Sequence, residues 1–79
     1  KSSSAADKVE ERLAITEALR EVPAGQRSCL VLHFTEGLTY REIGEILGVS
    51  EEAVRKRVVR GCEKFRQAYR QQEVSKDEV

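Results

Sequence analysis

Between Leu38 and Arg57 the chain reads Leu38-Thr39-Tyr40-Arg41-Glu42-Ile43-Gly44-Glu45-Ile46-Leu47-Gly48-Val49-Ser50-Glu51-Glu52-Ala53-Val54-Arg55-Lys56-Arg57, which spells two helices around a tight turn. The Thr39 hydroxyl can accept from the free amides of the next turn, and Glu42, three residues on, can reach back to complete a capping box. A helix therefore starts at Tyr40. Tyr40, Ile43, Ile46 and Leu47 recur at helical spacing as its apolar side, and Gly44 lets the following helix approach closely. Gly48, one position past the last apolar residue, suits the left-handed C-terminal cap, and Val49 turns inward as a plug. Ser50 caps the next helix, and Glu51 and Glu52 stand in its first turn, where acids suit the positive end of the dipole. That helix is expected from Glu51 to about Tyr69.

Along it, Val54, Val58, Gly61, Cys62, Phe65 and Tyr69 form the inward stripe, with Arg55, Lys56, Arg60 and Lys64 mainly outside. Residues 55–70 hold seven Arg or Lys (Arg55, Lys56, Arg57, Arg60, Lys64, Arg66, Arg70) against the single acid Glu63, a local balance of +6 in a chain whose formal net charge is zero. Neutrality overall thus conceals a polarised molecule, with the compensating acids in the N-terminal half and the tail. A basic face alone is often merely solvated. Following a two-helix pattern of this kind it points to phosphate, in the layout of a helix-turn-helix that sets its second helix in a DNA major groove.

Seventy-nine residues, 39% apolar and 35% charged, support one small core. Asp7 to Val22 carries Val9, Leu13, Ala14, Ala18, Leu19 and Val22 at near-helical spacing, closed by Pro23 and Gly25. The run from Ala24 or Gln26 to Thr35 is short and, through Leu30–Phe34, strand-like in composition. No second strand is offered to pair with it, so helix is the consistent reading. The expected fold is all-α: a compact four-helix domain ending in a helix-turn-helix, without a wing. Its domain spans residues 7–70, between a flexible linker over 1–6 and a polar, frayed tail over 71–79. No apolar run reaches membrane-spanning length, and Lys1-Ser2-Ser3-Ser4 lacks the apolar segment of a signal peptide. A cytoplasmic, nucleoid-associated setting is expected. The first residue is not Met, which suggests a fragment of a longer protein.

Enzymatic chemistry is not expected, and neither is a catalytic, metal or cofactor site or a small-molecule ligand. His33, the single histidine, has no acidic pattern or glycine-rich turn beside it and reads as a helix residue at the core boundary. Cys29 and Cys62 lack metal-ligand spacing and read as core or half-buried positions. Tyr40 and Phe65 read as core aromatics; Tyr69 serves either packing or a partner surface.

Val22-Pro23-Ala24-Gly25-Gln26-Arg27, followed by Leu30-Val31-Leu32-His33-Phe34-Thr35-Glu36-Gly37 and by Leu38 through Ser50, resembles the C-terminal region four of bacterial sigma factors, particularly the extracytoplasmic-function group. The likeness covers about residues 9–70. It implies a domain that holds the promoter −35 element of double-stranded DNA in the major groove and contacts the flap of the RNA polymerase β subunit. Many relatives are held inactive by an anti-sigma protein that covers the same surfaces.

Carried onto this chain, the base-reading positions fall at the start of the second helix, at Ser50, Glu51 and Glu52 and onward. Where relatives commonly read Gly-Thr-Val-Lys-Ser-Arg, this chain has Glu52-Ala53-Val54-Arg55-Lys56-Arg57. Arg55 and Lys56 keep donors facing the groove, for guanine O6 and N7 or for phosphate. Glu52 either accepts from cytosine N4 or only favours the helix dipole. Arg57 divides between phosphate and an internal ion pair. Arg60 and Lys64 match positions that follow the backbone, and Arg41 on the preceding helix meets the opposite phosphate wall. Glu52 for glycine, Lys56 for serine and Cys62 for a common arginine change the reading edge and the grip, so the promoter sequence does not carry over. Two other classes fit these residues: a helix-turn-helix output domain of another transcription regulator, and a protein-interaction module bound by an anti-sigma or adaptor protein.

Overall fold

The computed structural model describes the backbone of residues 5–78 and the side chains of residues 8–72. The elements are α1 (Ala5–Arg20), α2 (Ala24–Leu30), a π-helical turn (Val31–Thr35), α3 (Tyr40–Leu47) and α4 (Glu51–Glu78), with no strand among the described residues. This is the all-α four-helix fold, ending in a helix-turn-helix without a wing, that the sequence predicts.

α4 organises the molecule, because α1, α2 and α3 each pack against it. The long dimension of 43 Å is close to the length of this one helix, about 42 Å for 28 residues at 1.5 Å per residue. The core is Val22 and Cys29 with Leu30, Ile43, Val54 and Val58, flanked by the half-buried Leu19, Leu32, Leu38, Tyr40, Val49, Cys62 and Phe65. Every element contributes to the core or to its flank. Cys29 is fully buried and Cys62 half-buried, both as free thiols.

Local signals set the ends of α3 and α4. Thr39 N–H donates to Glu42 Oε1 at 2.8 Å and Glu42 N–H donates to Thr39 Oγ1 at 3.1 Å, which is the reciprocal capping box. Gly48 takes the left-handed conformation at φ 73°, and the Gly44 carbonyl accepts from both Gly48 and Val49 N–H, at 2.8 and 3.0 Å. The chain reverses there with the Gly48 and Val49 amides both paired. Gly44 is required by closeness: a β carbon at this position would stand 2.6 Å from the Val49 carbonyl oxygen. The turn, as much as the next helix, presses on it.

Several expectations are corrected. The helix from Ala24 is helical to Thr35 as predicted, but its last five residues widen to π winding. Glu36 N–H reaches back five residues to Val31 O at 3.2 Å, and Leu38 N–H returns to Leu32 O at 3.1 Å after the reversal at Gly37. In α3, Ile46 is 61% exposed. The buried face is centred on Ile43 and Gly44, and Ile46 lies two residues, roughly 200°, round from Gly44. In α1, Ala18 is buried, as is Val22 just past its end, but Leu13 is 57% exposed and Val9 is exposed as well. Leu13 borders a shallow groove whose α4 side is Ala68, Gln71 and Gln72, small or polar groups that cannot close over it. Ala68, absent from the predicted stripe, is buried. α1 ends at Arg20, two residues early, through i→i−3 bonds from Glu21 and Val22 N–H to Ala18 and Leu19 O, each 3.1 Å. α4 was expected to end near Tyr69 and runs on to Glu78, since nothing after Gly61 in the sequence is glycine or proline. Of the linker expected over residues 1–6, residues 1–4 lie outside the described residues and Ala5 and Ala6 are helical; Val79 of the tail also lies outside them.

Gly44→Ala is expected to lose about 1–3 kcal/mol of unfolding free energy, because the crowding atom is backbone and cannot swing aside. Gly25→Ala, where a β carbon meets nothing within 4 Å, is expected to gain about 0.5 kcal/mol from helix propensity. Urea unfolding of the two variants beside the parent chain measures both.

Candidate nucleic-acid interface

The start of α4 is held by its cap. Ser50 Oγ accepts from Ala53 N–H at 3.0 Å, and Ser50 O accepts from Val54 N–H at 3.1 Å. Ser50 is therefore committed to the helix terminus through its side chain. Glu51, Glu52, Arg55 and Lys56 are all exposed in the turns that follow.

Among these residues Arg55 has the most contacts. Its Nη1 donates to Glu52 Oε1 at 2.6 Å, and its Nη2 stands 4.0 Å from Glu51 Oε2. Its Cζ lies 5.8 Å from the centroid of the Tyr40 ring, across the turn on α3. Tyr40 in turn rests at 4.7 Å from the His33 ring, whose Nδ1 donates to Leu38 O at 2.8 Å. Arg55 is thus tied through aromatic rings to the loop that precedes α3. Tyr40 was expected only as a core aromatic. It is half-buried against the core and also faces Arg55. Spacing alone gave no sign of that second contact, since Tyr40 and Arg55 belong to different helices.

Lys56 and Arg60, four residues apart on one face of α4, are both exposed. Arg57 is half-buried, at the edge where solvent-facing and core-facing sides meet. Lys64 lies roughly two and a half turns beyond Arg55, bordering Glu21, just past the end of α1, together with Gln67 and Gln71. It is separated from the cluster at the helix start. Arg41 on α3 is well exposed, with its Nε 3.8 Å from Glu45 Oε2. The predicted residues therefore divide into a cluster (Ser50, Glu51, Glu52, Arg55), an outward basic pair (Lys56, Arg60) and three separate positions (Arg41, Arg57, Lys64).

A second surface was not foreseen. Ile15 and Leu19 of α1, Val31 and Phe34 of the π turn, and Cys62 and Phe65 of α4 line an apolar groove of about 390 Å³. Phe34 is 64% exposed at its edge. The Leu30–Phe34 run had been read for its secondary structure, and its period could not say which side remained open.

Comparison with known proteins matches residues 12–65 to the family described as sigma-70, region 4. The chain belongs to that family. The region 4 domain is 44% identical over 41 residues to the RNA polymerase sigma factor FliA of Pseudomonas aeruginosa, covering 52% of this chain and 17% of that protein. It is 38% identical over 52 residues to the probable RNA polymerase sigma factor RfaY of Xanthomonas campestris pv. campestris, covering 66% of this chain and 13% of that protein. The chain thus spans less than a fifth of the length of these curated relatives. No solved structure matches it. Membership makes it a transcription domain of the sigma-factor type, built on a DNA-binding helix-turn-helix, and not an enzyme. Among the described residues no group of three His, Cys, Asp or Glu could hold a metal ion, and no helix is long and apolar enough to cross a membrane.

Ser50→Ala in the region 4 domain is expected to cost about 1 kcal/mol of stability and to raise the amide exchange rate of Ala53 above that of residues deeper in α4. Thermal melting and hydrogen exchange followed by NMR report the two effects.

Proposed function

We propose that this region 4 domain recognises the promoter −35 element of double-stranded DNA, with the first turns of α4 in the major groove. The observation that carries the reading is the joint placement of Lys56 and Arg60, exposed on the outward face of α4, beside the capped helix start that holds Arg55. Lys56 and Arg60 supply phosphate attraction and Arg55 a base-directed fork, with Arg41 on α3 and Lys64 further along α4 as outlying phosphate contacts. Arg57, at the edge, adds charge from a more fixed position. The setting that goes with this role is the cytoplasm, on the nucleoid.

The partner protein in this reading is RNA polymerase, through its β-subunit flap. The apolar groove edged by Phe34 supports a protein contact of this kind, because a mostly apolar concave surface gains by exchanging water for apolar side chains. An anti-sigma protein that covered either surface would hold the domain inactive.

Fluorescence anisotropy with duplexes drawn from a randomised −35-like pool, at two or more salt concentrations, tests the DNA assignment. Binding is expected to weaken steeply with salt, and Lys56→Ala and Arg60→Ala are each expected to reduce the slope of log K against log salt by about 1. A flat salt series would remove the basic-face assignment. Selective binding that survives unchanged in both variants would move the DNA surface elsewhere.

A further inference from the structure

Glu52 is exposed in the first turn of α4, three residues before Arg55 and ion-paired to it. Three groups surround the Arg55 guanidinium. Glu52 Oε1 accepts one Nη1–H at 2.6 Å, Glu51 Oε2 lies 4.0 Å from Nη2, and the Tyr40 ring covers Cζ at 5.8 Å. At 4.0 Å Glu51 contributes charge without a hydrogen bond. The Glu52 contact is therefore the directional one, and the Tyr40 ring stands within cation–π range of Cζ.

The Arg55 and Glu52 side chains are 50% and 61% exposed, so the pair adds little to folding stability. Its effect falls on the arginine. A free arginine on a recognition helix samples many rotamers and takes the nearest phosphate. One held on an edge and a face presents its remaining N–H groups as a fixed fork. Charge points the same way. Arg55 with Glu51 and Glu52 sums to −1, so the cluster offers a phosphate no net attraction. Guanine presents O6 and N7, two acceptors with no net charge, in the spacing that an arginine fork matches.

We propose that Glu52 is a positioning residue for base readout: it holds Arg55 in the orientation that selects a guanine and keeps it from the phosphates. The inference rests on the DNA-binding reading above. Phosphate attraction comes from Lys56 and Arg60, which neither acid contacts, and the guanine preference comes from the Glu52–Arg55 pair.

The test uses the 79-residue chain as parent, E52Q, R55A and the E52Q/R55A double variant. A randomised duplex pool is selected with the parent, and anisotropy then compares the selected duplex with variants replaced at single guanines. The parent is expected to prefer guanine at one position by roughly tenfold or more, the scale of a good bidentate contact. E52Q is expected to bring that preference near twofold while binding unselected duplexes as well as, or better than, the parent. R55A is expected to abolish it, with E52Q adding nothing in the R55A background. A merely structural role for Glu52 would shift affinity for all duplexes together and leave the guanine preference intact, and that result overturns the proposal. A change in cytosine preference caused by E52Q in the R55A background also overturns it, because Glu52 would then read a base itself. If the parent binds no duplex at all, the DNA-binding reading fails and the proposal fails with it; if it binds selectively and E52Q keeps the full preference, only the positioning role fails.

Discussion

The Val49 carbonyl oxygen occupies space within 2.6 Å of where a β carbon of Gly44 would stand, and this contact closes the angle between α3 and α4. With any side chain at residue 44 the turn would have to move outward, taking the Ser50 cap and the first turn of α4 with it. The burial of Ile43 and Val54, both fully enclosed, holds the same closure from the core side. The position of Tyr40 beneath Arg55 follows from it, since the two residues meet only because the helices that carry them are pressed together. The Tyr40–Arg55 contact is thus a consequence of a backbone approach that glycine permits.

Charge on α4 is arranged in two regimes. At the helix start, two acids flank an arginine within about a turn, leaving a net −1, and an aromatic ring from α3 lies beside the arginine. Beyond them, Lys56 and Arg60 face outward, and among the described residues no ion pair ties either to an acid. Pairing restrains direction, and free charge acts over distance but without direction. A DNA-binding surface uses both, one for register and attraction, the other for choosing a base. The formal neutrality of the chain is compatible with this, because eight of the fourteen acids precede α4 and five of the six on it flank residues 55–70.

Much of α3, the turn and the start of α4 was legible because the signals there are local. A capping box, a left-handed glycine and a serine cap each act within four residues, so their outcome depends little on the rest of the chain. The α4 stripe through Val54, Val58, Gly61, Cys62 and Phe65 was legible for the same reason, as helical period is a property of the segment. Exposure was less so. Val9, Leu13 and Ile46 have the right residue type and acceptable spacing, yet are exposed because no apolar surface stands opposite them. The winding change at Val31–Thr35 depends on how Leu38 and Gly37 bring the chain back, and nothing in the composition of the run distinguishes π from α winding.

Thus the residues alone determined an all-α chain, the caps of its last two helices, the basic character of α4 and the family to which the chain is similar, since each of these is written in short-range pattern. The tertiary structure decided which charges meet. It placed Tyr40 under Arg55, set Lys64 beside Glu21, left Arg57 at the core edge and opened the groove beside Phe34. These are relations between elements distant in sequence, set by the packing of three helices on α4, and a one-dimensional pattern does not contain them.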